Sequence, residues 1–193
     1  MPSPCDPAFA PIGDVSTALL LIDSRLKTVH SGRTEFDPQQ KELIEHYTAS
    51  MGPDEVQDVL DGACTLIFMY MKWLRLAHED AGKDVIEYVV PTLVATMRQM
   101  PRSIPTETIP TMVGLVVAAG TGLSPSLWRA QYGDWTKAEM TPLEATVFLV
   151  AEHINRITDD QDFATRLITD ALSRAEAGEG LDDEDEDDDS VGA

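Results

Sequence analysis

The residues best suited to metal chemistry are the histidines that lie beside glutamates. Glu42, Glu45 and His46 stand at i, i+3 and i+4, so a helix would place all three on one face. Helical di-iron proteins, however, need Glu and His three residues apart on each of two helices. At His46, His78 and His153 the nearest glutamate is the adjacent residue, about 100° away around a helix. We therefore predict solvated helix faces, with no metal site and no cofactor.

Nucleophilic chemistry would need a serine or cysteine activated by a nearby base. Cys64 lies in the most apolar segment of the chain, where burial raises the pKa of a thiol and makes it inert. The sequence contains no Gly-x-Ser-x-Gly motif. The glycines of Gly120-Thr121-Gly122 lack the Lys and Ser/Thr that complete a phosphate loop, which favours a helix end. These patterns argue against an enzyme, and an enzyme with dispersed catalytic residues is the least favoured alternative.

The stretch TALLLIDSRL, residues 17–26, resembles the first strand of the isochorismatase-like cysteine hydrolases. The resemblance implies a strand that ends at Asp23, whose carboxylate would work with a Lys and a nucleophilic Cys. The apolar spacing favours a different structure, because it continues through Leu26 and Val29 with the alternating four and three steps of a helix. Cys64 also follows Asp23 too closely for the βαβ units that such a fold places between them. We therefore predict an amphipathic helix.

Two groups of side chains could form a binding surface. Trp128 and Tyr132 lie four residues apart on a short predicted helix, and Trp135 follows the helix end at Gly133. Aromatic side chains of this kind form protein contact surfaces, and they also pack as lids over a core. A set of methionines could likewise line a deformable apolar pocket or fill the core. This set consists of Met69, Met71, Met97, Met100 and Met112.

The chain is strongly acidic and carries a run of eight consecutive acidic residues near its end. The net charge is −20 for the whole chain and −12 without the run. Since the 14 basic residues are scattered, direct nucleic-acid binding and attachment to an anionic membrane are not expected. We expect the run to be disordered and to act as an electrostatic accessory towards a protein partner, for which a basic protein is one option. Its members are Asp182, Asp183, Glu184, Asp185, Glu186, Asp187, Asp188 and Asp189.

Helix start signals recur along the chain and predict an all-α fold of seven or eight helices. A long central helix is expected from Pro53 to about Ala81, because residues 66–71 are apolar on every side. Pro91 should kink or split a later helix. The expected organisation is a Pro-rich disordered arm over residues 1–13, one helical domain over 14–177 and a disordered acidic tail over 178–193. The start signals are DPQQ at 37–40, GPDE at 52–55, DVIE at 84–87, Ser124-Pro125, TPLE at 141–144 and TDDQ at 158–161.

These patterns favour a non-enzymatic protein-interaction or regulatory protein that uses a helical surface. The alternative is a helical, sensor-like protein that binds a small molecule in a Met-rich apolar pocket. The two cysteines occur in different settings and suggest no disulfide framework, and no apolar run approaches the ~20 residues of a membrane span. We therefore expect a cytoplasmic location.

Overall fold

The computed structural model describes residues 3–32 and 52–177, together with the helical positions 42, 46, 49 and 50. The described residues are mostly helical and include no strand, which confirms the all-α prediction. None of their helices has the length and apolarity needed to cross a membrane. The predicted start at 37–40 and the acidic run at 182–189 lie outside the described residues. The helices with defined bounds are α1 (Ile12–His30), α2 (Pro53–Glu79), α3 (Val85–Tyr88), α4 (Val90–Arg98), α5 (Ile109–Gly120), α6 (Pro125–Ala130), α7 (Lys137–Thr158) and α8 (Phe163–Glu176), with a 3-10 turn at Thr106–Thr108.

Helix α2 is the centre of the fold, as its sequence predicts. It packs against α1, α5, α6 and α7, so its middle turns are surrounded by other helices. Every residue from Leu66 to Met71 is buried. The helix begins at Pro53, where the Gly52 N–H donates to Glu55 Oε2 at 2.8 Å. Pro91 has the predicted effect, since α3 and α4 are separate helices that meet at Val89.

The closest approach between α1 and α2 occurs at Gly62. A Cβ atom at this position would overlap the backbone carbonyl of Asp14 in α1. Backbone atoms of a helix cannot rotate out of the way as a side chain can, so any larger residue would force the two helices apart. Gly62 therefore sets the spacing of this helix pair.

We expect Gly62→Ala to lower the free energy of unfolding by about 2 kcal/mol, because overpacking costs ~1–3 kcal/mol and outweighs the better helix propensity of alanine. Gly13→Ala in α1 is the matched control, since nothing lies within 4 Å of the added Cβ. The control should be neutral or slightly stabilising in urea denaturation. Equal stability of the two variants would show that α1 and α2 are not in close contact.

Two predicted helix starts near the C-terminal half are wrong. Helix α7 begins at Lys137 rather than near Pro142, because Thr136 and Glu139 form an earlier cap in which the Thr136 N–H donates to Glu139 Oε2 at 2.8 Å. Thr158 ends α7 instead of starting the next helix, and its hydroxyl donates to the Ile154 carbonyl at 2.8 Å. For α7 the capping pattern occurs at two places in the sequence, at Thr136 and at Thr141, and the structure uses the earlier one.

Asn155 in α7 performs the capping that the sequence assigned to Thr158. Its Oδ1 accepts from the Ala164 N–H in the first turn of α8 at 2.8 Å, and its Nδ2 donates to the Gln161 carbonyl at 2.7 Å. The side chain is buried, so these bonds satisfy both of its polar atoms. Asn155 thereby fixes the direction in which α8 leaves α7.

The N-terminal residues 3–11 pack against the helices, which differs from the disordered arm predicted over residues 1–13. Cys5 is only 1% exposed, and its Sγ lies 3.2 Å from Ser124 Oγ and 3.3 Å from Ser126 Oγ. Ala10 is buried as well. Unpaired cysteine is among the most frequently buried residue types, and here its burial holds the arm on the surface of α6.

Candidate functional site

A cleft of about 320 Å³ lies between the N-terminal segment, α2 and α8. We call it the α2–α8 cleft. The N-terminal segment, which Cys5 anchors, forms one wall, and α2 and α8 form the other two. Its lining residues are Asp6, Pro7, Ala8, Met69, Lys72, Trp73, Leu76, Leu167, Ala171, Arg174 and Ala175.

The lining of the α2–α8 cleft is mainly apolar. The rings of Trp73 and Phe163 pack at a tilted angle with their centroids 5.0 Å apart, so Phe163 of α8 supports the Trp73 side chain. Leu76 is 50% exposed although it is a large apolar residue. Leu167 and Ala171 are partly buried and face α2 from α8. An apolar molecule that entered the cleft would therefore remove apolar protein surface from water.

Two cations line the same cleft and have no carboxylate partner among the residues that the structure describes. No ion pair among the described residues includes Lys72 or Arg174, although most other basic side chains of the described helices pair with an acid. The Arg174 Nε donates to the Asp170 carbonyl at 3.3 Å. Asp6 is the acidic member of the lining, and its Oδ1 accepts from the Ala8 N–H at 3.1 Å. The cleft thus carries a local excess of positive charge in an acidic protein.

A second groove, of about 290 Å³, runs between α1 and α8 and is more polar. Asp23 lines it, with its Oδ1 accepting from Thr165 at 2.9 Å and its Oδ2 lying 2.6 Å from the Lys27 ammonium. Asp23 lies in the interior of α1, as the apolar spacing predicts. The strand that the resemblance to the cysteine hydrolases implies at this position is therefore not formed. Its carboxylate stabilises the contact between α1 and α8.

The three aromatic residues predicted as a contact surface occupy two environments. Trp128 and Tyr132 lie together with ring centroids 5.1 Å apart, but Trp128 is partly buried and covers Gly114. Tyr132 is 68% exposed. Trp135 is partly buried and faces the Arg129 guanidinium, which lies 4.8 Å from its ring centroid. Tyr132 is thus the member of this group that is most accessible to a partner.

Arg129 and Glu139 form a buried ion pair that closes the loop between α6 and α7. The Arg129 Nη2 lies 2.7 Å from Glu139 Oε2, and Arg129 also donates to the carbonyls of Gly133 and Asp134. Burial alone would raise the pKa of Glu139, but hydrogen bonds from Arg129 and Thr136 outweigh it and hold that pKa below its usual value. The pair is a structural clamp, since its polar atoms are used within the loop.

The five candidate pocket methionines do not line one cavity. Met71, Met97 and Met112 are completely buried in the core, and Met100 is partly buried against it. Met69 alone among them lines the α2–α8 cleft. The α2–α8 cleft therefore shares Met69 with the predicted set, and its other ten lining residues are different.

The remaining candidate residues bring no reactive groups together. Cys64 is fully buried, and burial, with a smaller effect from Cys5, raises the pKa of its thiol well above the usual value. Glu42 and His46 are exposed, and Glu45 lies outside the described residues. The described part of the chain holds no cluster of three or more His, Cys, Asp or Glu side chains arranged to bind a metal ion.

Sequence reasoning missed most of the residues that line the α2–α8 cleft. A usable signal was present, because Met69, Trp73 and Leu76 are spaced four and three apart, as are Leu167 and Ala171 with Arg174. Each set forms one stripe along a helix. The sequence does not show that the two stripes, about a hundred residues apart, face each other.

No protein-family model matches the chain. No curated protein and no solved structure matches it significantly either.

Proposed function

We propose that the protein is a non-enzymatic binding protein and that the α2–α8 cleft holds a small apolar ligand. The observation that carries this proposal is an open, mainly apolar concavity of about 320 Å³ in which large side chains such as Trp73 and Leu76 contact solvent. Ligand sites in proteins begin at about this volume and combine apolar walls with a few polar groups. The cleft has both features.

The charged groups of the cleft are suited to binding rather than to catalysis. Asp6, Lys72 and Arg174 are the titratable residues of its described lining. Asp6 already accepts a backbone hydrogen bond, and the described lining of the cleft contains no hydroxyl or thiol that these groups could activate. Their role in the proposed function is to orient a ligand.

A protein-interaction function is the second candidate. Leu123, Leu127 and Tyr132 are large apolar residues at or near α6, and each is more than half exposed. Exposed apolar groups of this kind occur at protein contact surfaces. In this function the acidic run at 182–189 would act as an electrostatic accessory that attracts a basic partner.

The proposal predicts that the protein binds the neutral fluorescent probe N-phenyl-1-naphthylamine and that Leu76→Gln weakens this binding about fivefold. Burying the exposed half of a leucine is worth roughly 1 kcal/mol, and 1.4 kcal/mol corresponds to a factor of ten. Leu127→Gln is the matched control, because Leu127 is 57% exposed but lies outside the cleft. Probe titration should give the same affinity for this control as for the unmodified protein.

Two results would overturn the small-ligand function. One is the absence of probe binding by the unmodified protein at accessible concentrations. The other is an equal or larger loss of binding in Leu127→Gln, which would move the apolar site to the α6 surface and favour the protein-interaction function.

A further inference from the structure

The charges around the α2–α8 cleft limit the class of ligand that it can take. Lys72 projects from α2 and Arg174 from α8, so the two cations come from opposite walls. Neither takes part in an ion pair among the described residues, whereas Arg25 and Lys27 on α1 and Arg166 on α8 all pair with acids. In a chain with a net charge of −20, two cations that line one cleft and have no ion-pair partner within the described part of the chain form a site for an anionic group.

Asp6 and the overall charge set an upper limit on the negative charge of that group. The Asp6 carboxylate lines the N-terminal wall, so the titratable groups of the lining sum to about one net positive charge. The long-range field of the acidic chain repels a polyanion, although salt screens this repulsion beyond about 8–10 Å. A single carboxylate satisfies the two cations with the least repulsion.

The apolar floor determines the rest of the ligand. Trp73, Leu76 and Leu167 offer aliphatic and aromatic surface without a hydrogen-bonding group other than the indole N–H. An unbranched or cyclic hydrocarbon body would gain from this surface, whereas a polar body would lose its hydration without replacement. The stems of Lys72 and Arg174 can extend the apolar surface up to the charged heads.

We propose that the ligand of the α2–α8 cleft is a small amphiphile with an apolar body and one carboxylate, held between Lys72 and Arg174. This proposal rests on the small-ligand function proposed above and names its ligand class. The apolar body lies against Trp73, Leu76 and Leu167. The carboxylate lies at the mouth, where it replaces water around the two cations.

The test is displacement of the neutral probe by octanoate, below its micellar concentration, compared with displacement by octan-1-ol. The two competitors have the same number of carbon atoms, and a charged carboxylate in the first takes the place of a neutral CH₂OH group in the second. Octanoate should bind about tenfold more tightly than the alcohol at low salt, and added salt should reduce this advantage because exposed ion pairs are screened. The double variant Lys72→Gln/Arg174→Gln should lose the advantage and keep its affinity for octan-1-ol.

Two further variants serve as controls for the position of the charge. Asp6→Asn removes the acidic group of the lining and should strengthen octanoate binding a few-fold. Arg98→Gln removes a cation from α4, outside the cleft, and should leave octanoate binding unchanged.

The outcomes distinguish a failure of the carboxylate proposal from a failure of the small-ligand function on which it rests. If octanoate and octan-1-ol bind equally to the unmodified protein, the carboxylate proposal fails while the small-ligand function stands. The same holds if Arg98→Gln weakens octanoate as much as the double variant does, since the effect would then reflect overall charge. If the neutral probe does not bind at all, the small-ligand function fails first.

Discussion

Ile67→Asp is expected to lower the free energy of unfolding by about 4–5 kcal/mol. Ile67 is fully buried at the middle of α2 and is surrounded by the other helices. The substitution removes the packing of a large aliphatic side chain and also buries a carboxylate that has no partner. A variant this destabilised should lose most of its helical circular dichroism at moderate urea concentrations.

The matched control is Ile157→Asp in α7, because Ile157 is the same residue type and is 49% exposed. The new carboxylate stays hydrated, so the substitution removes only part of an apolar contact. It also adds a small unfavourable interaction with the negative end of the helix dipole. We expect a loss of about 1 kcal/mol. If Ile67→Asp unfolds at the same urea concentration as this control, α2 is not the central helix.

Arg129→Ala is expected to cost about 3–5 kcal/mol, because it leaves Glu139 buried without its partner. The substitution also removes the donors that Arg129 provides to the carbonyls of Gly133 and Asp134. Arg156→Ala is the control, because the Arg156 side chain is 72% exposed and its Nη2 lies 3.6 Å from Glu152 Oε1 in a surface ion pair. An exposed pair of this kind contributes ~0–1 kcal/mol. Urea denaturation at neutral pH measures both variants.

The pH dependence gives this prediction a second readout. Because the pKa of Glu139 is lowered in the folded state, its contribution to stability is present above its unfolded pKa, near the usual 4.5, and is lost as the pH falls through the folded value. In Arg129→Ala the hydrogen bonds from Thr136 remain, but Arg129 no longer offsets the burial of Glu139, and protonation of Glu139 relieves this penalty. The stability difference between the two proteins should therefore shrink below about pH 4.5. A difference that stays constant with pH would mean that Glu139 is not the group left unpaired.

Local sequence patterns predict the elements of this fold better than they predict its boundaries. The apolar centre of α2 and the break at Pro91 follow from side-chain chemistry within a few residues, and both are confirmed. The start of α7 does not follow in this way, because Thr136 and Thr141 each precede a glutamate by three residues. The cap that Thr136 forms with Glu139, which Arg129 also holds, makes the earlier turn helical and leaves Pro142 inside the helix.

The cleft could not be predicted from the sequence because three separate segments form it. The arm was expected to be disordered from its proline content, yet Cys5 holds it beside Ser124. The stripes on α2 and α8 resemble ordinary core-facing stripes when each is considered alone. The partial exposure of these stripes becomes visible only when the positions of all three segments are known. The same is true of Lys72 and Arg174, which have no ion-pair partner among the described residues.

The most direct test of ligand binding in the α2–α8 cleft is the response of the tryptophan indole N–H signals to octanoate in two-dimensional ¹H–¹⁵N NMR spectra. The chain has three tryptophans, and only Trp73 lines the cleft among the described residues. Trp73→Phe assigns the Trp73 signal by its disappearance. We expect the Trp73 signal to shift progressively with octanoate while the signals of Trp128 and Trp135 stay in place. A Trp73 signal that does not move, or larger shifts of Trp128 and Trp135, would contradict the assignment of the ligand site to this cleft.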